Sequence, residues 1–392
     1  MAVASVVGRG KRVTIIQYSS NSDGSCHSAL ILADGFKRAG WITSIVFGFE
    51  GPMISAFRRN GHEVLVASHK NWLRSNSTFR FCKNTLRELC RVPSILQIYD
   101  KLKPDVVYIN TLVSLAAAVA AKVVNIPVVW HIRELFSDVG GEMRIPKSFS
   151  PLVRKTVTAL STAVIVNSGA VRKNILGIDN IAAHTVPNAV DSSYTHLSLN
   201  KLESRQQLNI SPNKLVLGVP GTLRPMKGHD FFLRAISTVL PDNPNLDVII
   251  SGEGEPTFFK QLQSLVTNLG IAGRVTFLGQ VEDMKVFYGA CDLVVIPSRA
   301  EPFGRVVIEA FASRVPVIAT RVGGIPEIIE DGRNGVLIPY GDEKQLRNAI
   351  HRLMNDTQLA HNLAEEGYRD ANTQYTASHY QARIIDVCTK IL

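Results

Sequence analysis

Short apolar runs rich in β-branched residues alternate with stretches of helical spacing along nearly the whole chain, and the alternation breaks once. Arg12–Gln17, Ile42–Phe47, Glu63–Ala67, Asp105–Ile109, Val128–His131 and Ala163–Asn167 read as strands, most of them separated by helices. The pattern stops around Val186–Asp191. A polar segment to Asn213, containing His196, Asn200, Lys201 and Gln206, reads as linker and lead-in helix. The series then restarts with strands at Leu215–Val219, Leu246–Ser251, Arg274–Leu278, Leu293–Ile296 and Pro316–Thr320. A βαβα series winds right-handed into a parallel sheet covered by helices on both faces. The expected class is therefore α/β, with two doubly wound Rossmann-type domains over residues 1–190 and 191–375. A last helix, roughly Ala377–Leu392, follows Tyr375. Two such domains facing each other leave a deep cleft between their strand carboxyl ends, where ligands bind in open α/β sheets.

Composition narrows the class. With 392 residues, 45% hydrophobic and 19% charged, the chain has ample core for two domains and is not disordered. No signal peptide is expected, because Val3–Val7 is too short and Arg9, Lys11 and Arg12 follow it. Leu112–Val124 is interrupted by Lys122 and followed by Pro127, so it reads as a buried Ala-rich helix rather than a membrane span. Cys26, Cys82, Cys90, Cys291 and Cys388 are scattered, with no C-x-x-C, which fits reduced thiols, a cytoplasmic protein and no metal site. The net charge of +10 lies wholly in the first half: residues 1–186 hold 23 Lys+Arg against 11 Asp+Glu. The dense part, Arg58 to Lys103, includes Arg74, Arg80, Lys83, Arg87 and Arg91. It is either a solvated surface or a contact for membrane headgroups, a phosphorylated lipid or nucleic acid. Trp72, Phe79 and Phe81 among these charges suit an interfacial helix or loop.

Residues 297–309, Pro-Ser-Arg-Ala-Glu-Pro-Phe-Gly-Arg-Val-Val-Ile-Glu, follow a buried strand and enter a helix. Glu301 and Glu309 thus sit at a strand's carboxyl end and on the first turns of the next helix. The amides of Phe303, Gly304, Arg305 and Val306 point at whatever lies there, with the positive end of the helix dipole behind them. Three further loops follow strands at the same edge. Gly221–Gly228 carries Arg224 and Lys227, two cations placed for a diphosphate. Gly252 and Gly254 form a G-x-G that a tight turn explains nearly as well. Gly323 and Gly324 precede Pro326-Glu327, another anion-friendly helix start; ordinary capping by Glu327 is the plainer account, at ~0.3–1 kcal/mol. In the first half, His131, Arg133 and Glu134 close a strand, and Asp23, Gly24 and Ser25 lie in the loop after the first strand. Asn188 and Asp191 lie near the domain crossing, as hinge residues or ligand contacts.

Together these stretches resemble glycosyltransferase family 4, retaining enzymes of GT-B fold. The resemblance rests on Glu301-x₇-Glu309 within P-S-x-x-E-P-F-G, the Gly221…Lys227-Gly228 loop, Gly252-x-Gly254, Gly323-Gly-x-Pro-Glu327, Pro187-Asn-Ala-Val-Asp191 and the strand-closing His131. It implies that Glu309 binds the donor ribose, that Glu301 sits beside the donor sugar, and that the amides after Phe303 hold that sugar and the diphosphate, with Pro302 also at the donor. It also implies that Lys227 stabilises the leaving diphosphate, that His131 contacts the sugar near the reacting carbon, and that the last helix, 376–392, crosses back to the first domain. Asp23, Gly24, Ser25, Arg133, Asn188, Gly323, Gly324 and Glu327 are candidates for the cleft or the acceptor. Thr222 stands where the family carries Arg, with Arg224 two residues later; Arg305 replaces the usual Leu; Asp23-Gly24-Ser25 stands in for a Gly-Gly pair.

The activity implied is retaining transfer of a sugar from a nucleotide-diphosphate sugar to a hydroxyl of a polysaccharide, glycolipid or lipid-linked acceptor. No cofactor is expected, and no D-x-D calls for a divalent cation. The expected location is cytoplasmic, with peripheral contact to an anionic inner membrane face through the basic first domain; nucleic acid is not an expected partner. The rival readings are a nucleotide-sugar epimerase and a catalytically idle nucleotide-sugar sensor. A dehydrogenase is disfavoured because no G-x-G-x-x-G follows the first strand.

Overall fold

The computed structural model describes residues 10–69, 71–73, 77–136, 143, 149–177, 183–194 and 200–392. Arg9, Arg74 and His196, singled out above, lie outside them. The chain divides into two compact units: residues 1–189 with 377–392, and residues 190–376.

The first unit runs β1 (Arg12–Gln17), α1 (Gly24–Arg38), β2 (Ile42–Phe47), α2 (Ile54–Arg59), β3 (Glu63–Val66), α3 (Thr78–Leu89) and α4 (Val92–Leu102). It continues through β4 (Val106–Ile109), α5 (Leu115–Val123), β5 (Val128–Ile132), α6 (Ser150–Leu160), β6 (Ala163–Val166), α7 (Gly169–Val171) and β7 (Ala183–Thr185). Its parallel sheet has the order β3-β2-β1-β4-β5-β6-β7. Strand residues alternate between two cores. Ile16, Val107 and Ile109 join Trp130 and the Ala-rich α5 on one face; Val13, Ile15, Val106 and Tyr108 join α1 on the other. Burial on both faces explains why these strands read as continuous apolar runs.

The second unit runs α8 (Lys201–Gln207), β8 (Leu215–Pro220), α9 (His229–Ser237), β9 (Leu246–Ser251), α10 (Pro256–Asn268), β10 (Val275–Gly279), α11 (Met284–Ala290) and β11 (Leu293–Ile296). It ends with α12 (Arg305–Ala312), β12 (Val317–Thr320), β13 (Val336–Ile338), α13 (Glu343–Asn355) and α14 (Thr357–Thr373). Its sheet order is β10-β9-β8-β11-β12-β13. In both sheets the winding reverses once, between β1 and β4 and between β8 and β11, and these are the switch points at which open α/β sheets take ligands.

The structure differs from the sequence reading in three places. β7 and β13, three residues each, were not anticipated. Pro326-Glu327 does not start a helix; Ile325–Glu327 is a single 3₁₀ turn. Trp72 and Phe81 are not interfacial: both are buried and stack on one another with ring centroids 5.8 Å apart, and only Phe79 faces outward.

α15 (Ala377–Lys390) belongs to the first unit, where Tyr380, Ile384, Val387 and Cys388 enter the core beside Leu32 and Phe36 of α1. The approach is close: a Cβ at Gly35 would meet Gln381 Cγ at 2.4 Å. Ile384→Ala should therefore cost ~2–5 kcal/mol. Trp41, Trp72 and Trp130 are the chain's three tryptophans and all lie in the first unit, so urea unfolding followed by tryptophan emission reads that unit. An unchanged midpoint would contradict the packing described.

Candidate functional site

The candidate residues fall into two groups, one in each unit. In the second unit they occupy the loops at the switch point. β8 leads into Gly221–Gly228, where Arg224, half-buried, caps the 3₁₀ turn Pro225–Lys227. β11 leads into 297–304, and Gly304, with φ 110°, caps α12. Lys227 Nζ donates to Glu301 Oε2 at 2.6 Å, and Ser298 Oγ donates to the same oxygen at 3.3 Å. Both charged side chains are largely withdrawn from solvent.

Backbone contact fixes this pair. A Cβ at Gly228 would meet the Pro297 carbonyl oxygen at 2.0 Å, and the Arg299 amide donates to Met226 O at 2.8 Å. Behind them, a side chain at Gly252 would strike Gly221 O at 2.1 Å, and one at Gly254 would strike Leu223 O at 1.9 Å. A Cβ at Gly323, where φ is 54°, would meet Glu301 O at 1.8 Å, and the Gly324 amide donates to that oxygen at 3.0 Å. The glycines of the 251–255 and 321–327 loops thus brace the loops of Lys227 and Glu301. Glu327 lies apart, exposed, on a polar cleft of about 220 Å³ that also includes Arg333, Asp370 and Tyr375.

Glu309 is buried one turn inside α12. Arg305 Nε lies 2.7 Å from Oε1, and Tyr288 OH donates to Oε2 at 3.0 Å. Burial, then the Glu309 charge, raises the Tyr288 hydroxyl well above its ordinary range, so it stays a donor. Pro302, Phe303 and Val306 complete the turn, with Phe303 edge-on to Tyr375. Ser298 and Tyr288 were not singled out from sequence. Ser298 could have been, three residues before Glu301 on the same loop.

In the first unit, Asp23 caps α1: its Oδ1 accepts from the amides of Ser25 and Cys26 at 2.9 Å and from Ser25 Oγ at 2.7 Å, with Gly24 as the first helical residue. His131 is fully buried. Arg133 Nη2 lies 3.2 Å from His131 Nδ1, and Tyr108 OH contacts the same nitrogen. An arginine can only donate, so Nδ1 accepts and the proton of the neutral ring sits on Nε2, an assignment from the network. Nε2 is buried and has no hydrogen-bond partner among the described residues. Burial, then the Arg133 charge, holds His131 well below its ordinary pKa. Arg133 is the hub: it also donates to Asn110 Oδ1 at 2.8 Å, to Asn188 Oδ1 and to Tyr380 OH. Asn110, which lies on the loop after β4 and continues the network to Gln17 Oε1, and Tyr380 were missed in the sequence.

Two family models match, together spanning most of the chain: "Glycosyl transferases group 1" over residues 200–370 and "Glycosyltransferase Family 4" over 53–194. The chain belongs to the family 4 glycosyltransferases. Among relatives, the D-inositol 3-phosphate glycosyltransferase of Stackebrandtia nassauensis is 32% identical over 248 residues, covering 60% of this chain and 55% of that protein. The lipopolysaccharide core biosynthesis mannosyltransferase LpsB of Rhizobium meliloti is 31% identical over 199 residues, covering 50% and 56%. The chain thus spans little more than half the length of these curated relatives. Anabaena HepE, solved with UDP and glucose, superposes with a TM-score of 0.83 at 24% identity over 96% of this chain and 99% of that one. Sucrose-phosphate synthase of Thermosynechococcus elongatus superposes at 0.76 and 17% identity, over 97% and 99%. The fold is that of the GT-B enzymes, with two Rossmann-like parallel-sheet units. Among the described residues no cluster of three or more His, Cys, Asp or Glu is placed to hold a metal ion, and no helix is long and apolar enough to cross a membrane.

Two stability predictions follow from the second-unit geometry. Tyr288→Phe keeps the ring packing and removes one hydrogen bond to a charged group, for ~1.5–3 kcal/mol; an unaltered melting curve would contradict the Tyr288–Glu309 bond. His229, just after the Lys227 loop, is buried with neither ring nitrogen bonded among the described residues, and burial followed by Lys227 lowers its pKa to about 4. The unfolded chain, with His229 near 6.5, binds the proton first, so this contribution is complete above pH 6.5 and is lost as pH falls to about 4. His229→Leu should remove roughly 3 kcal/mol of that acid sensitivity, read from denaturant unfolding by circular dichroism.

Proposed function

We propose that the chain transfers a sugar from a nucleotide-diphosphate sugar to an acceptor hydroxyl of a polysaccharide, glycolipid or lipid-linked saccharide, with retention at the anomeric carbon. The observation that carries this reading is the Lys227–Glu301 pair, held by two loops at the β8/β11 switch point in a family 4 chain. The UDP and glucose bound by HepE and the lipopolysaccharide role of LpsB support a nucleotide-sugar donor and a glycoconjugate acceptor.

On this reading Glu309, aligned by Arg305 and Tyr288, receives the ribose hydroxyls. Lys227, Arg224 and the amides at the start of α12 stabilise the two to three negative charges of the leaving diphosphate, without a metal. Glu301 accepts hydrogen bonds from the donor sugar while holding the Lys227 ammonium. His131, kept neutral by burial and then by the Arg133 charge, does not compete for the acceptor proton. The acceptor oxygen bonds to the anomeric carbon on the face the diphosphate leaves, the glycosyl–oxygen bond to the diphosphate breaks, and the acceptor proton passes to a departing phosphate oxygen.

The test is a panel of UDP-, GDP- and ADP-sugars, followed by thermal shift and by release of free nucleotide diphosphate, first alone and then with lipid and polysaccharide extracts. One donor should be bound and slowly released. Lys227→Ala and Glu301→Ala should each lower turnover ~10²–10³-fold or more. Near-normal turnover in both variants would sink the assignment. Conversion of the donor sugar without release would favour the epimerase reading, and binding without release under every condition the sensor reading.

A further inference from the structure

α3 presents an apolar stripe that the core does not use. The helix is capped by Ser77, whose hydroxyl accepts from the Arg80 amide at 3.3 Å. Its inner side is anchored by two residues. Phe81 stacks on Trp72 and on Phe149, the latter at 4.6 Å between centroids. Glu88 is fully buried, with Arg91 Nε at 3.8 Å from its carboxylate. On the outer side Phe79 is 75% exposed, Leu86 65% and Leu89 37%, with the Cys82 and Cys90 thiols also exposed. At 3.6 residues per turn, Phe79, Cys82, Leu86, Leu89 and Cys90 fall within about a third of the circumference. Arg80, Lys83 and Arg87 line one edge of that stripe, all exposed, and Lys83 Nζ lies 6.0 Å above the Phe79 ring. The only acid of the helix, Glu88, is turned inward, so the outer face carries three positive charges and none negative.

We infer that the outer face of α3 docks on an anionic lipid bilayer, with Phe79, Leu86 and Leu89 entering the headgroup boundary and Arg80, Lys83 and Arg87 pairing with lipid phosphates. The charge pattern alone would serve any polyanion. The apolar stripe selects a bilayer, because a soluble polyanion gains nothing from exposed Phe and Leu, whereas an interfacial helix needs both faces. The wider segment agrees: residues 51–104 hold ten Lys+Arg and three Asp+Glu. The inference deepens the proposed reading by placing a lipid-linked acceptor at the surface where the first unit docks. It is measured without donor or acceptor, so vesicle binding and sugar transfer can fail separately.

The experiment uses the full chain and vesicles of phosphatidylcholine with or without phosphatidylglycerol. Cys26, Cys291 and Cys388 are buried, so in a Cys90→Ser background an environment-sensitive fluorophore attaches at Cys82. The protein should float with the anionic vesicles, release as salt rises, and show a blue shift of the label. Arg80→Gln/Lys83→Gln/Arg87→Gln should weaken binding on the order of a hundredfold. Phe79→Ser/Leu86→Ser should abolish the blue shift while leaving the melting temperature unchanged, since both side chains point outward. Equal binding to neutral and anionic vesicles, no binding to either, or binding unaffected by both variants would overturn the inference. So would heparin binding that matches vesicle binding and survives Phe79→Ser/Leu86→Ser, which would assign the face to a soluble polyanion.

Discussion

The second unit depends on four loops meeting backbone to backbone at the carboxyl edge of its sheet. Carbonyl oxygens of Gly221, Leu223, Pro297 and Glu301 lie where a Cβ at Gly252, Gly254, Gly228 or Gly323 would stand. Any side chain there would push the loops apart by more than a hydrogen bond tolerates. Their closeness lets an ammonium on one loop and a carboxylate on another meet at 2.6 Å with little water between them. A pair so withdrawn from solvent is costly to assemble, and it stands at the switch point of the sheet. The glycines are therefore not independent anion-binding features. They are the mechanical condition for a single charged locus.

The first unit solves a different problem. A guanidinium that has no carboxylate in hydrogen-bond contact among the described residues is buried among neutral oxygens and one imidazole nitrogen. Its exclusively donating edge determines where the histidine proton resides, and burial, with its fixed charge second, keeps another from joining it. The same cation gathers Asn110 from the β4 end, Asn188 from the end of the unit's first segment and Tyr380 from α15. One residue thus sets both a tautomer and a tertiary junction.

Most of the fold was legible because parallel strands buried on both faces leave long β-branched runs. β7 and β13 escaped because three residues carry no periodicity, and their pairing is decided by neighbouring strands. The strand-end loops were legible because glycine, proline and charge concentrate there. What glycine did in them was not, since a carbonyl at van der Waals distance has no signature in its own loop. Trp72 and Phe81 misled for a related reason: amphipathic helices have two sides, and a local run of aromatics and cations does not say which faces in. Leu86 and Leu89, ordinary helix residues by sequence, proved to be the exposed ones. The ion pair of Arg305 and Glu309 was within reach, four residues apart on one helix, but Arg305 was read only through its amide and as a replacement for Leu.

The place of α15 in the first unit has a consequence for how the protein is made. That unit closes only when residues from 377 onward are added, and the 187 residues from 190 to 376 are synthesised in between. At roughly 5–20 residues per second, about 10–40 s pass during which Leu32 and Phe36 of the nascent chain lack their partners and Arg133 lacks the Tyr380 hydroxyl. The second unit, continuous in sequence, can complete itself first. All residues of the second unit are thus made before the first unit has its last helix, and the face of α1 that Tyr380 and Ile384 cover stands open in the meantime.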